Sequence, residues 1–229
     1  MKGRKTAAPR GLTVTVRASK KRSAASQRWL TRQLNDPYVA AAKQQGFRSR
    51  AAFKLLELDE RFRLIRRGAK VIDLGAAPGG WTQVALQRGA AGVVGVDLLP
   101  VDPVAGAVML RGDFSEPEMQ ERLIAELGGK ADLVLSDMAP NTTGHASTDH
   151  LRIMALADAA LGFAATVLVQ GGSFVAKVFQ GGAEKQMLER LKRHFAMVRH
   201  AKPPASRKES SELYVVATGF RPVVDAAPG

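Results

Sequence analysis

Short apolar runs alternate with longer amphipathic segments from residue 70 onward. Helical periodicity lies between most of these runs, at about residues 81–87, 116–127, 149–169 and 183–195. The runs themselves have the length and composition of β-strands, and they cover residues 71–74, 92–96, 107–110, 132–135 and 173–178. Strands that alternate with helices form a parallel sheet that is covered on both faces. The pattern therefore predicts an α/β domain with helices on both sides of its sheet.

The pattern changes near the end of the chain. Two further strands, at residues 197–200 and 213–219, are separated by the proline-containing segment 202–211 and not by a helix. Strands that are joined without a crossover helix pair antiparallel. We therefore expect a mostly parallel sheet of seven strands with an antiparallel pair at one edge.

The start of the chain is basic and has only weak apolar periodicity. Ten Lys and Arg residues precede the first acidic residue, Asp36. We interpret residues 1–35 as a flexible extension that contacts a polyanion. Asp36 followed by Pro37 is typical of a helix N-terminus, so ordered structure is predicted to begin there. The predicted domain covers residues 36–220, and residues 221–229 form a short tail.

Composition narrows the choice of partner. Thirty-four Lys and Arg against 21 Asp and Glu give a net charge of +13, which suggests nucleic acid or an anionic membrane. The longest apolar stretch, residues 153–169, is short for a membrane span and contains Asp158, so we interpret it as a core helix. We predict a cytoplasmic protein with no membrane partner.

Metal and disulfide chemistry are not expected. The sequence has no cysteine, which excludes disulfides and thiolate metal ligands. Its four histidines show no spacing that is typical of a metal site. We therefore predict no bound metal.

A glycine-rich turn follows the first strand of the predicted sheet. Ligands of open parallel sheets bind beyond the carboxyl ends of the strands, which is where this turn lies. Gly75, Gly79 and Gly80 allow the backbone to turn tightly and to approach a ligand closely. The dinucleotide fingerprint, Gly-x-Gly-x-x-Gly, needs glycine at its middle position, where this chain has Ala77. A nicotinamide dinucleotide is therefore disfavoured.

Two acidic residues lie at the ends of the next two strands. Asp97 could accept hydrogen bonds from both hydroxyls of a ribose, and Asp113 could receive the amino group of adenine. A single strand-end Asp is often only a turn former. Two of them after a glycine-rich turn describe an adenosine-containing cofactor that lacks a pyrophosphate.

The segments DLGAAPGGW at 73–81, DLLP at 97–100 and GDF at 112–114 carry a family resemblance. They resemble class I S-adenosylmethionine-dependent methyltransferases, and more closely the FtsJ/RrmJ family of RNA 2′-O-methyltransferases. The resemblance extends over about residues 36–220 and implies a Rossmann-like fold with S-adenosylmethionine as cofactor. It implies five cofactor contacts: Gly79, Trp81, Asp97, Asp113 and Asp137.

Methyl transfer to a ribose hydroxyl needs a base or a positioning group, because the hydroxyl is a poor nucleophile. Asp137 follows the fourth strand, and Lys177 lies near the end of the fifth. A lysine inside an apolar strand is costly unless it has a partner. Both residues are therefore candidates for the catalytic site.

The resemblance adds Lys54 and Glu212, which complete a Lys-Asp-Lys-Glu tetrad with Asp137 and Lys177. Lys177 would act as general base, Asp137 would orient it, and Lys54 would hold the hydroxyl or its developing oxyanion. Glu212 would orient Lys54 or the ribose. Glu209 competes for this last role, but Glu212 directly precedes the last strand and is preferred.

Two absences favour a hydroxyl acceptor. Methyltransferases that act on base amino groups often carry Asn/Asp-Pro-Pro-aromatic after the fourth strand, where this chain reads Asp-Met-Ala-Pro. No cysteine is present to attack a pyrimidine ring. Ribose methylation is therefore the best fit.

The resemblance also implies an RNA surface and a substrate. Arg48 and Arg50 would contact substrate phosphate, and Lys202, Arg207 and Lys208 could extend the same surface. The implied substrate is a uridine ribose of 23S ribosomal RNA in the 50S subunit, and the enzyme is expected to act as a monomer. A transfer-RNA 2′-O-methyltransferase and a non-catalytic RNA-binding ribosome assembly factor are the alternatives.

Overall fold

A computed structural model describes residues 23–140, 144–179 and 184–222. One seven-stranded sheet forms its centre, with strand order β3-β2-β1-β4-β5-β7-β6. The strands are β1 (Lys70–Leu74), β2 (Gly92–Asp97), β3 (Ala107–Arg111), β4 (Ala131–Ser136), β5 (Leu168–Phe179), β6 (Phe195–Ala201) and β7 (Glu212–Phe220). The predicted Rossmann-like α/β fold is confirmed.

Strand pairing follows the predicted division of the sheet. Strands β1 to β5 pair parallel with one another. Strand β7 inserts between β5 and β6 and is antiparallel to both. Strand β5 begins at Leu168, earlier than predicted, and its pairing with β4 is irregular between Ala131 and Leu133. Gly171 and Gly172 are typical of a turn, so the sequence pattern did not predict a strand at this irregular start.

Helices cover both faces of the sheet and enclose two hydrophobic clusters. The helices are α1 (Ala24–Leu34), α2 (Pro37–Gln45), α3 (Ala51–Phe62), α4 (Gly80–Gln87), α5 (Pro117–Leu127), α6 (Ala146–Val167) and α7 (Glu184–His194). Side chains of α5, α6 and α7 form one cluster, and those of α2, α3 and α4 form the other. Alternate residues of the central strands enter opposite clusters, because side chains alternate across a sheet.

Helix α6 is long and apolar enough to cross a membrane by length and composition. Its apolar residues instead lie in the larger core cluster, where Ala160, Leu161 and Ala164 are at most 1% exposed. This packing explains why the stretch is apolar, because α6 is a helix of the hydrophobic core.

The prediction that ordered structure begins at Asp36 is wrong. Helix α1 precedes it, and the Ser23 side chain caps this helix by accepting a hydrogen bond from the backbone N–H of Ser26 at 3.2 Å. Few apolar residues mark α1, so periodicity did not reveal it. Residues 1–22, most of the predicted basic extension, and 223–229 lie outside the described residues.

Candidate active site

The candidate site lies where the strand order changes direction. Strands β2 and β3 extend from one side of β1, and β4 and β5 extend from the other. Gly75 follows β1 with φ +80°, and a Cβ there would lie 2.8 Å from the backbone nitrogen of Met138. The glycine-rich loop therefore packs directly against the segment that follows β4.

Arg48 ties this loop to its neighbour. Its guanidinium donates hydrogen bonds to the carbonyl oxygens of Pro78 at 3.1 Å, Asp102 at 2.6 Å and Pro103 at 2.6 Å. A Cβ on Gly79, which has φ +108°, would lie 2.9 Å from Arg48 Nη1. Arg48 thus joins the loops after β1 and β2, and its contact with RNA stays a prediction.

Asp97 and Asp113 lie at the ends of β2 and β3, on the same edge of the sheet. The Asp97 carboxylate accepts hydrogen bonds from the backbone N–H groups of Ala77 and Leu99, both at 2.9 Å. Asp113 is exposed, and hydrogen bonds from Ser115 lower the pKa of its carboxyl. Both bonds use Oδ1, which leaves Oδ2 available to a ligand.

Two apolar side chains that directly follow Asp97 in the chain are exposed. Leu98 and Leu99 have exposed fractions of 64% and 63%. Apolar surface next to a carboxylate suits a flat heterocycle attached to a polyhydroxyl sugar. Their arrangement fits an adenosine-containing cofactor.

Trp81 is buried and packs against two residues next to the site. Its indole N–H donates to the carbonyl oxygen of Ala51 at 2.8 Å, and its ring lies 5.6 Å from the Tyr214 ring. The contact with Ala51 fixes the start of α3, the helix that carries Lys54. The structure gives Trp81 a packing role, and its contact with the cofactor stays a prediction.

The four residues of the predicted tetrad meet in one hydrogen-bonded cluster. Lys177 Nζ lies 3.0 Å from Asp137 Oδ1 and donates to the Asp137 carbonyl oxygen at 2.8 Å. Lys54 Nζ lies 2.6 Å from Glu212 Oε1. Both lysines are buried, at 8% and 9% exposure. Glu212, and not Glu209, is the carboxylate that contacts Lys54.

Tyr214 connects the two ion pairs and was missed by the sequence analysis. Its hydroxyl accepts a hydrogen bond from Lys54 Nζ at 3.1 Å and donates to Asp137 Oδ1 at 2.7 Å. Glu212 Oε1 lies 3.1 Å away as a second acceptor. A phenol has one proton, so it donates to one carboxylate at a time. The available signal was a tyrosine in an apolar strand, since a buried phenol needs a partner.

The charges of this cluster determine the protonation states of Asp137 and Tyr214. Burial raises the pKa of the Asp137 carboxyl, but Lys177, Lys54 and the Tyr214 hydrogen bond together lower it below its usual value. Burial and the carboxylates of Asp137 and Glu212 raise the pKa of Tyr214 well above its usual value. Asp137 therefore remains ionised and Tyr214 remains protonated at neutral pH.

Asp73 is a second buried carboxyl, at the end of β1 under the loop. Its Oδ2 accepts a hydrogen bond from the Thr82 hydroxyl at 2.7 Å. Its Oδ1 has no hydrogen-bond partner among the residues that the structure describes. Burial raises the pKa of Asp73 to about 7. The sequence analysis gave this residue no separate role.

Arg50 joins the helices to the late loop, residues 202–211. Its guanidinium pairs with Asp36 at 3.0 Å and donates to the Ala205 carbonyl oxygen at 2.5 Å. Glu57 holds the same loop, because its Oε2 accepts from the Ala205 N–H at 2.7 Å and its Oε1 accepts from the Tyr38 hydroxyl at 3.0 Å. These bonds position the loop that leads into Glu212, and the contact of Arg50 with RNA stays a prediction.

Lys202 and Arg207, on the late loop, are also engaged within the protein. Lys202 Nζ donates to the carbonyl oxygens of Lys208 at 3.0 Å and Ser210 at 2.6 Å. Arg207 lies 3.5 Å from Asp36. No group of three or more His, Asp or Glu residues could hold a metal ion within residues 23–140, 144–179 and 184–222.

Known proteins similar to this chain agree with its fold. A model of the FtsJ-like methyltransferase family matches residues 47–220. The ribosomal RNA large subunit methyltransferase E of Granulibacter bethesdensis is 72% identical over 214 residues, which are 93% of each chain. Its counterpart in Gluconobacter oxydans is 70% identical over 93% of this chain and 80% of its own. A solved structure from Plasmodium falciparum, described as a ribosomal RNA methyltransferase, covers 76% of this chain and 98% of its own, with 28% identity and a TM-score of 0.68.

Proposed function

The chain belongs to the FtsJ-like methyltransferase family, and on that premise we propose that it methylates the ribose 2′-hydroxyl of a uridine in 23S ribosomal RNA. The observation that carries the proposal is the buried cluster of two lysines, two carboxylates and a phenol beside the glycine-rich loop. The relatives' description as large-subunit ribosomal RNA methyltransferases supports the choice of substrate.

The residues at the sheet edge fit S-adenosylmethionine, which supplies an electrophilic methyl group on a sulfonium. Asp97 would accept hydrogen bonds from the ribose hydroxyls of the cofactor, and Asp113 would receive the adenine amino group through its available oxygen. Leu98 and Leu99 would cover the apolar faces of the adenine. Gly79 and Asp137 would border the remainder of the cofactor.

Lys177 is the proposed base. Methyl transfer requires the 2′-hydroxyl to lose its proton, and Lys177 Nζ takes it, which requires a neutral amine at that moment. With Lys177 neutral, the cluster of Lys54, Asp137, Lys177 and Glu212 carries one net negative charge. This charge complements a sulfonium, whereas a second ammonium would repel it. Asp137 fixes the position of Lys177 through both a carboxylate and a carbonyl oxygen.

Lys54 would stabilise the oxygen that develops negative charge during transfer. Glu212 and Tyr214 hold its ammonium in place at 2.6 and 3.1 Å. Because Tyr214 also bonds Asp137, the positions of the two lysines are set by one connected network. The network therefore fixes the distance between the proposed base, Lys177, and the cation, Lys54, and the acceptor hydroxyl can be placed between them.

We further propose that the natural substrate is the assembled 50S subunit and that the enzyme acts as a cytoplasmic monomer. The net charge of +13 supports a polyanionic partner of this kind. Transfer RNA and a non-catalytic role in ribosome assembly are the outcomes that the experiment must distinguish.

The test is methyl transfer from labelled S-adenosylmethionine to unmethylated 50S subunits, with transfer RNA as the competing substrate. We expect label at a uridine 2′-hydroxyl of 23S RNA, and a loss of about 10²- to 10⁴-fold in kcat for Lys177→Ala with nearly unchanged cofactor affinity. Label on transfer RNA alone would contradict the proposal that 23S RNA is the substrate. The absence of transfer to any RNA would overturn the enzymatic function, and an active Lys177→Ala variant would exclude Lys177 as base.

A further inference from the structure

An open cleft lies on the outer side of the Lys54–Glu212 pair. It has a volume of about 500 Å³ and is bordered by α1, by α3 and by the late loop. The charged side chains at its walls are Arg32, Arg50, Lys54, Arg207, Glu209 and Glu212. Helix α1, which the sequence analysis missed, therefore forms one wall of a cleft that leads to the proposed catalytic cluster.

The cationic side chains of this cleft differ in how closely a carboxylate pairs with them. Lys54 pairs with Glu212 at 2.6 Å, and Arg50 pairs with Asp36 at 3.0 Å. Arg207 shares Asp36 at a longer distance of 3.5 Å. Glu209 adds a further carboxylate to the wall. Four cations thus face three carboxylates, and the cleft keeps an excess of positive charge.

Arg32 supplies that excess. Its side chain is exposed and borders the cleft. It makes no hydrogen bond or ion pair with any residue that the structure describes, in contrast to Arg48, Arg50 and Arg207. A free guanidinium presents several donors in one plane, which suits the oxygens of a phosphate.

We propose that this cleft receives a backbone phosphate of the substrate RNA next to the methylated ribose, and that Arg32 is its contact. The inference rests on the proposed function, which places the ribose hydroxyl between Lys177 and Lys54. The phosphates that flank this ribose are within one nucleotide of the hydroxyl, and the cleft begins at Lys54. Arg32 then positions the substrate without reading its sequence.

Asp36 links the end of α1 to the rest of the cleft. It lies two positions after the end of α1, and its backbone N–H donates to the Gln33 carbonyl oxygen at 3.4 Å. Its Oδ1 caps α2 by accepting from the Tyr38 N–H at 3.0 Å, and its Oδ2 pairs with Arg50 at the start of α3 and with Arg207 on the late loop. One residue therefore connects the end of α1 to the other two walls of the cleft.

The experiment compares Arg32→Ala with Arg122→Ala in the full chain. Arg122 is an exposed arginine of α5 outside the cleft, so both variants lose one surface charge. Methyl transfer to unmethylated 50S subunits is measured over a series of salt concentrations, together with S-adenosylmethionine affinity and thermal unfolding. For Arg32→Ala we expect a five- to tenfold higher KM for the subunit, about the effect of one charged hydrogen bond, with kcat within about twofold.

The salt dependence gives a second readout that loss of folding would not imitate. The slope of log(kcat/KM) against log[salt] should become shallower by about 0.7 to 1 in Arg32→Ala and remain unchanged in Arg122→Ala. Arg32→Lys should recover most of the lost affinity, because it restores the charge. If Arg32→Ala matches Arg122→Ala in KM and slope, or lowers only kcat, the inference is overturned. Failure of the proposed function is distinct, since the wild-type chain would then methylate no RNA.

Discussion

Lys177 and Tyr214 lie directly opposite each other in the antiparallel ladder between β5 and β7. Their side chains therefore project from the same face of the sheet, and the lysine and the phenol bond the same carboxylate, Asp137. The register of one strand pair thus sets the distance between the proposed base and the group that links it to Lys54. A one-residue slip of β7 would move Tyr214 to the opposite face.

Replacement of Tyr214 by phenylalanine should slow catalysis without loss of the fold. The ring that packs against Trp81 is retained, and the hydroxyl that joins Lys54 to Asp137 is removed. We expect kcat to fall by about three- to tenfold and the free energy of unfolding to fall by about 1 to 3 kcal/mol, with S-adenosylmethionine affinity close to wild type. Single-turnover methylation of 50S subunits measures the change. A wild-type rate would show that the connection between the ion pairs is not used in catalysis.

Asp73 should make the free energy of unfolding depend on pH. Burial raises the pKa of the Asp73 carboxyl from its ordinary value of 3.8 to about 7. Its contribution to stability is therefore fully present below pH 3.8 and is lost as pH rises through about 7. Compared with Asp73→Asn, the wild-type protein should lose about 1 to 3 kcal/mol of stability between pH 5 and pH 8. Denaturant unfolding of both proteins at several pH values measures this difference, and the histidines cancel because both proteins contain them. A pH-independent difference would contradict the burial of an ionisable carboxyl here.

Arg48→Ala should weaken cofactor binding more than RNA binding. Its guanidinium holds three carbonyl oxygens on the two loops that border the proposed cofactor site. We expect the Kd for S-adenosylmethionine to rise by about tenfold, whereas the exposed Arg66 should tolerate alanine. Calorimetric titration with the cofactor measures both variants. A raised KM for the 50S subunit with normal cofactor affinity would instead support the phosphate contact implied by the family resemblance.

Glu57→Ala should loosen the late loop. Its carboxylate accepts the Ala205 N–H and the Tyr38 hydroxyl, and burial together with Glu57 raises the pKa of Tyr38 to about 12. Removal leaves both donors without this partner, so we expect about 1 to 3 kcal/mol lower stability. Because the loop leads into Glu212, kcat should fall as well. Urea unfolding and methyl transfer test the two effects, and Glu60→Ala on the exposed side of α3 serves as control.

The sequence predicted the sheet well because its strands are short apolar runs between clear helical segments. Asp97, Asp113 and Asp137 could be placed at the same edge because carboxyl ends of parallel strands share it. Lys54 and Glu212 are 158 positions apart, and only the family resemblance joined them. Spacing carries no information about two residues that meet through tertiary packing.

The remaining differences have equally local causes. Helix α1 is largely polar, so hydrophobic periodicity predicted neither the helix nor its place in the cleft wall. Tyr214 is fully buried in an apolar strand, where a tyrosine is also a normal packing residue. The family resemblance implied that Arg48 contacts RNA. Its bonds to three carbonyl oxygens depend on loops that are distant in sequence.

The position of β7 between β5 and β6 has a consequence for how the protein matures. This strand is the last of the sheet in the chain, yet it pairs with both β5 and β6 and carries Tyr214. During synthesis, the glycine-rich loop, both lysines and Asp137 are translated before Glu212 and Tyr214. The Lys54–Glu212 pair, and its link to Asp137 through Tyr214, can form only after residues 212–220 have been translated and inserted. Nascent or C-terminally truncated chains can therefore form much of the parallel sheet and still lack a competent catalytic centre.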